Sequence, residues 1–200
     1  MIFSTFPDRH GVAVYKQTAT AVELAEMIRS TVRAKKEQLP LVKLALFGGK
    51  RTEKRCLRHD ANVIGILGVE GDYDGGEVSF QDAVEIARGA ELQAILYTSP
   101  SYTTDRPRWR ILCPTSWELP PGERDRLMAR LAGLYNGIFA AESWTLSQAY
   151  FVGRTNGGSA PLVEMSMAPL SINRTGSMTR RSAGQPIKQL MAAASSMSRR

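Results

Sequence analysis

Hydrophobic and polar positions divide most of this chain into short segments with recognisable periods. Leu24, Met27, Ile28, Thr31 and Val32 recur at helical spacing behind Thr20-Ala-Val-Glu23, a capping-box pattern, so a helix is predicted to start there and stop before Pro40. Leu41–Phe47 reads as a short strand ended by Gly48-Gly49. A strand over 62–70 follows, running into a turn of acids and glycines. Ser79-Phe-Gln-Asp82 opens a second helix, with Ala83, Val84 and Ala87 inward and its end near Gly89. Gln93–Thr98 is a strand, Ser99–Pro107 a Ser/Thr/Pro loop, and Arg108–Cys113 a strand in which Arg and apolar residues alternate. Pro120-Pro121-Gly122 precedes a helix with Leu127, Leu131, Leu134 and Tyr135 on one face, closed by Asn136-Gly137. Ser147–Val152 reads as one more strand.

From residue 61 to about 155 the order is β-α-β-β-α-β, the split βαβ, ferredoxin-like or RRM-like arrangement of an α+β fold. Residues 1–60 read as an N-terminal α/β extension, and 156–200 as a flexible, disordered basic tail. In such a sheet the first strand is central and antiparallel to the third and fourth. The C-terminal end of strand 62–70 is therefore predicted to lie beside Arg108-Trp109-Arg110 and beside the segment from Glu142 to Gln148.

Composition narrows the classes. The chain has 200 residues and two cysteines, Cys56 and Cys113, so a disulfide framework is not expected and a reducing cytoplasm is. No stretch is apolar enough to span a membrane, and Asp8, Arg9 and His10 interrupt any signal-peptide pattern. Cys56-x-x-His59 has too few partners for a closed zinc site. The net charge of +7 belongs to the C-terminal quarter: seven Lys/Arg and one acid follow Tyr150, which leaves +1 on residues 1–150.

Candidate chemistry concentrates after the central strand, where Glu70, Asp72 and Asp74 alternate. Alternate strand residues share a face, and carboxylates held together invite a divalent cation with oxygen ligands, Mg²⁺ or Mn²⁺. Clamps of this kind serve phosphoryl and nucleotidyl transfer. Asp72-Tyr-Asp-Gly-Gly is equally readable as a polar turn. An EF-hand loop is excluded, since Glu77 and Gln81 occupy positions that need an apolar residue and a bidentate Glu. Arg108 and Arg110 suit triphosphate oxygens, and Ser99, Ser101 and their loop add donors. Glu142 is either a further ligand or a surface acid. Lys50, Arg51, Lys54, Arg55 and Arg58 form either a solvated loop or a nucleic-acid-contacting one. A base-stacking RNA-recognition sheet is disfavoured, because strand 62–70 has no aromatic residue. Neither a Walker A loop nor a Gly-x-Ser-x-Gly elbow occurs.

These segments resemble the archaeo-eukaryotic primase superfamily, specifically the primase-polymerase domains of plasmids, phages and mobile elements. Val-Glu-Gly-Asp72-Tyr-Asp74 resembles the strand ending in Asp-x-Asp that carries the catalytic metals. Tyr-Thr-Ser-Pro-Ser-Tyr102 with Arg-Pro-Arg-Trp-Arg-Ile-Leu-Cys-Pro114 resembles the second region, and Ala-Glu142-Ser-Trp-Thr-Leu-Ser-Gln148 the third, which supplies a further acid. The resemblance implies a metal-dependent DNA primase or primase-polymerase that takes nucleoside triphosphates and a single-stranded DNA template. A replicative helicase, encoded separately or in a missing C-terminal part, is its implied partner. Tyr102 stands where the family has a phosphate-contacting His, so the resemblance also admits a non-catalytic replication initiator or DNA-binding relative. A third reading is another nucleotidyl transferase or phosphodiesterase on the same sheet.

Overall fold

A computed structural model describes residues 1–166. Its strands are β1 (Ile2–Phe6), β2 (Tyr15–Thr18), β3 (Val32–Arg33), β4 (Leu41–Lys43), β5 (Ala45–Phe47), β6 (Val63–Tyr73), β7 (Ala94–Thr98), β8 (Trp109–Leu119), β9 (Tyr150–Phe151), β10 (Arg154–Thr155) and β11 (Val163–Ser166). The α-helices are α1 (Ala21–Ser30), α2 (Phe80–Gly89) and α3 (Arg124–Leu134).

Local chemistry sets the helix boundaries. Thr20 and Glu23 cap α1 reciprocally, each side chain taking the other's backbone N–H. Ser79 Oγ accepts the Asp82 N–H at the start of α2. α3 ends as Asn136 and Gly137 turn left-handed, at φ +54° and +74°.

The central sheet is antiparallel in the order β11-β7-β8-β6-β5. Strand alternation divides its side chains between two cores. Val69, Tyr73, Leu96, Trp109 and Ile111 face α2 and α3. Leu67, Ile95, Tyr97 and Leu112 face α1 and a second antiparallel sheet, β2-β1-β4-β9, through Phe3, Leu24, Ile28, Val42 and Leu44.

The expected single strand 41–47 is two strands. Residues 41–43 pair with β1 and β9, whereas 45–47 pair with β6. The chain changes sheets at Leu44, whose carbonyl accepts the Leu67 N–H at 2.8 Å.

The β6-β8-β7 part of the split βαβ arrangement forms as expected, with β6 between antiparallel neighbours. The expected fourth strand does not join it. Ser147–Val152 is extended only at β9, which pairs with β4 in the other sheet. Other groups satisfy the free edge of β6. β5 covers its first residues. Beyond them Arg124 donates to the Glu70 carbonyl, Ser143 Oγ accepts the Asp72 N–H, and Ala140 N–H donates to the Asp72 carbonyl. Those paired groups take the place that a fourth strand would occupy along this part of β6.

β11 pairs with β7 inside the span read from sequence as the start of a flexible tail. The rest of that tail, 167–200, lies outside the described residues. Among the described residues no helix is long and apolar enough to cross a membrane.

Candidate functional site

The three acids of the central strand meet three different environments. Glu70 is wholly buried. Its Oε2 lies 2.6 Å from Lys43 Nζ and 3.2 Å from Arg124 Nη2, and its Oε1 accepts the Leu44 N–H at 2.5 Å. Burial is the main influence on Lys43 and pulls its pKa down to about 8, although Glu70 pulls the other way. Glu70, expected among the metal ligands, is instead the internal counter-ion of two buried cations. It has no exposure through which to reach a metal at the surface.

Asp72 stands one position further along the same face, at the sheet's edge. Arg110, its direct cross-strand partner, donates Nε–H to Asp72 Oδ1 at 2.7 Å and Nη1–H to the Phe151 carbonyl at 2.7 Å. The guanidinium also lies 5.2 Å from the centre of the Tyr150 ring. Tyr97, cross-strand from Arg110 on its other side, shares the Phe151 carbonyl. Burial works against the charge of Arg110, but the Asp72 carboxylate beside it outweighs burial and holds the pKa above its ordinary value. Burial raises the pKa values of Tyr97 and Tyr150, so both phenols stay neutral. Tyr150 donates to Ser143 Oγ at 3.3 Å, closing a network around Asp72.

Asp74 lies just past β6 and is exposed. The turn that carries it is pinned from below, because Tyr73 Oη accepts the N–H groups of Glu77 and Val78 at 2.8 and 2.7 Å. Glu142 is exposed on a 3-10 turn, Ala141–Trp144, and not at the start of a strand. That turn nonetheless abuts Asp72 through Ala140 and Ser143.

The loop after β7 borders the same edge. Ser99 is buried, and its N–H donates to the Arg108 carbonyl. Its Oγ accepts the Ser101 N–H, and Ser101 Oγ accepts from Lys36 Nζ at 3.0 Å. Arg108 is half-buried, and its Nε has no partner. Tyr102 packs its ring against the core under α2 and α3.

Lys50, Arg51, Lys54 and Arg55 are all exposed on a braced loop. Arg51 spans the loop, donating to the carbonyls of Val12 and Arg55. Thr52 and Arg55 close a tight turn, with Arg55 at φ +62°.

Sequence and topology thus bring Asp72, Arg110 and the Glu142 segment together, with Ser99, Ser101 and Arg108 on the adjoining loop. Glu70 is held apart from them in the interior. Tyr97, Tyr150, Ser143, Lys36, Lys43 and Arg124 were not foreseen. Two signals existed. Tyr97 falls on the face of Arg110 by simple alternation, and Lys43 interrupts an apolar strand, which demands a buried counter-ion.

Among the described residues no group of three His, Cys, Asp or Glu is arranged to hold a metal. The hard oxygen donors remaining at the edge are Asp72 and Asp74. Such a pair fits Mg²⁺ or Mn²⁺ when phosphate and water complete the coordination.

No family model matches the chain, and no curated protein matches it. Among solved structures, the AEP domain of the cyanophage S-2L primase-polymerase (PrimPol) is similar, with a TM-score of 0.46 and 13% identity over 84% of this chain and 80% of that one. Likeness of that degree assigns no role to any residue here.

Proposed function

We propose that this chain is a metal-dependent nucleotidyl transferase of the primase or primase-polymerase kind, acting on a single-stranded DNA template. The observation that carries the reading is the junction of Asp72 and Arg110 with the loop of Ser99, Ser101 and Arg108 at one sheet edge. Asp72 and Asp74 would hold Mg²⁺ or Mn²⁺. The metal would stabilise charge on the transferring phosphate and on the attacking and leaving oxygens.

The chain's own groups then have distinct tasks. Arg108 and Lys36 offer positive charge to the triphosphate, and Ser101 a hydroxyl donor. Arg110 fixes the rotamer of Asp72 while the buried phenols of Tyr97 and Tyr150 keep that corner free of further charge. Glu142, on the turn beside Asp72, is available as a third acid facing solvent.

Two observations favour the non-catalytic alternative. Arg110 occupies one oxygen of Asp72, and the half-buried Tyr102 rests against the core. Primer synthesis separates the readings. Wild-type protein with labelled nucleoside triphosphates and single-stranded template is expected to give product with Mn²⁺ or Mg²⁺, and Asp72→Ala/Asp74→Ala none. A wild type without metal-dependent product would leave the DNA-binding reading. Identification of the product distinguishes template-directed synthesis from other nucleotidyl transfer or phosphodiester hydrolysis.

A further inference from the structure

Trp144 differs from the other aromatic residue of its type near the site. Trp109 is fully buried and lies against Tyr73, Tyr135 and Phe139. Trp144 is 43% exposed on the 3-10 turn beside Asp72, and none of the ring contacts among the described residues involves it. Large aromatic surface left in water invites a flat partner.

The segment that carries Trp144 connects two charged regions. At one end Ser143 Oγ accepts the Asp72 N–H. At the other, the Ser147 N–H donates to Asp60 Oδ1 at 2.9 Å, tying the segment to the end of the basic loop. Four residue steps separate Ser143 from Ser147, so Trp144 lies within roughly 15 Å of both anchors.

The basic loop is joined in turn to the loop after β1. Arg58 donates to the Arg9 carbonyl, Leu57 N–H to Gly11, and Arg51 to Val12. Gly11 permits this approach: at φ +62° a side chain is strained there, and a Cβ would meet Arg58 Cβ at 3.0 Å. The surface so formed carries Arg9, Lys50, Arg51, Lys54, Arg55 and Arg58. None of the ion pairs among the described residues includes any of these six. Lys16, Arg33, Lys35, Arg106 and Arg130 are likewise exposed and outside those ion pairs, so what sets this surface apart is the gathering of six cations on joined loops.

We infer that this surface is a track for single-stranded nucleic acid, with Trp144 stacking on a base and the loops of Arg9 and Lys50–Arg58 contacting phosphates. Bases every few ångströms along a charged backbone match an exposed ring beside unpaired cations. A duplex would hide its base faces from Trp144. The track rests on the proposed function only in calling the bound strand a template, since it leads along 147–143 to Asp72.

The test is binding of a labelled oligo(dT) by full-length protein, without metal or nucleotide. Trp144→Ala is expected to weaken binding roughly 5- to 100-fold, the range of a lost base–aromatic stack, while Trp144→Phe retains most of it. Trp117→Ala serves as control, because Trp117 is 70% exposed on the far part of β8. The Lys50→Ala/Lys54→Ala/Arg55→Ala variant, confined to exposed side chains, should flatten the log K against log salt slope by about 2. Unchanged binding in Trp144→Ala, equal weakening in Trp117→Ala, an unchanged slope, or preference for duplex would each overturn the track. Primer synthesis with a failed stacking test removes the track alone. Stacking without synthesis removes the enzymatic reading alone.

Discussion

Asp72 and Arg110 face each other across β6 and β8, with Nε 2.7 Å from Oδ1, and the same guanidinium reaches the carbonyl of Phe151 in the neighbouring sheet. The carboxylate placed to meet a metal is thus positioned by a cation that also joins two sheets. Removing either partner leaves a charge with little access to water, which costs about 3–5 kcal/mol when the site is buried. Asp72→Ala and Arg110→Ala should each destabilise the protein by a large part of that, and the double variant by less than their sum. Urea unfolding of the four proteins measures it; strict additivity would show that the pair does not couple.

Glu70→Gln should be more damaging to stability than Asp74→Asn. The first leaves Lys43 and Arg124 without their shared anion in the interior, at a cost of about 3–5 kcal/mol. The second alters an exposed side chain and should stay within about 0.5 kcal/mol. Thermal unfolding distinguishes this from a metal-ligand role for Glu70, in which stability would change little and metal affinity greatly.

Gly71→Ala should disturb both packing and the site. A Cβ there would lie 2.5 Å from a Phe139 ring carbon, so the ring must move, at about 1–3 kcal/mol. Ala140 and Ser143, which bond to Asp72, follow Phe139 in sequence. Trimming the ring with Phe139→Leu in the Gly71→Ala background should recover part of the loss, as read by the unfolding midpoint.

The pH dependence of stability follows from the buried groups. Lys43 has a pKa lowered from 10.5 to about 8, so the unfolded chain binds more protons between those values and this contribution rises with pH there. Cys113, Tyr97, Tyr135 and Tyr150 are shifted upward by burial, from ordinary values of 9.0 and 10.0. The unfolded chain loses those protons first, and stability falls above about pH 9–10. Wild type should therefore gain or hold stability up to about pH 9 and lose it beyond. Lys43→Met should lack the gain between pH 8 and 9, as followed by denaturation midpoints.

Elements whose signals are local were legible in the sequence. The capping box at Thr20 and Glu23, the Ser79 cap, the left-handed Asn136-Gly137 exit and the alternation in β8 each depend on residues within one turn or strand. The order β6-β8-β7 followed from chain order and handedness. The position of Ser147–Val152 did not, because it depends on what else covers β6: a side chain from α3 and a 3-10 turn, both remote in sequence. The acids show the same limit. Spacing put Glu70 and Asp72 on one face correctly, but only packing decides that Lys43 and Arg124 close over Glu70 and leave Asp72 at the rim. The hairpin of β1 and β2 was missed because β2 is exposed throughout and has no apolar alternation.

The change of sheets at Leu44 also bears on how the molecule opens and closes. The Leu44 amide is held by Glu70, which is in turn held by Arg124, 26 and 54 residues away in the chain. Ordering of such distant segments costs loop entropy before any contact compensates it, which favours slow folding. Once formed, the junction belongs to both sheets at once. Neither sheet can fray from the other without stranding a carboxylate and two cations, so local opening is suppressed there and the Leu44 amide should exchange with solvent only through global unfolding.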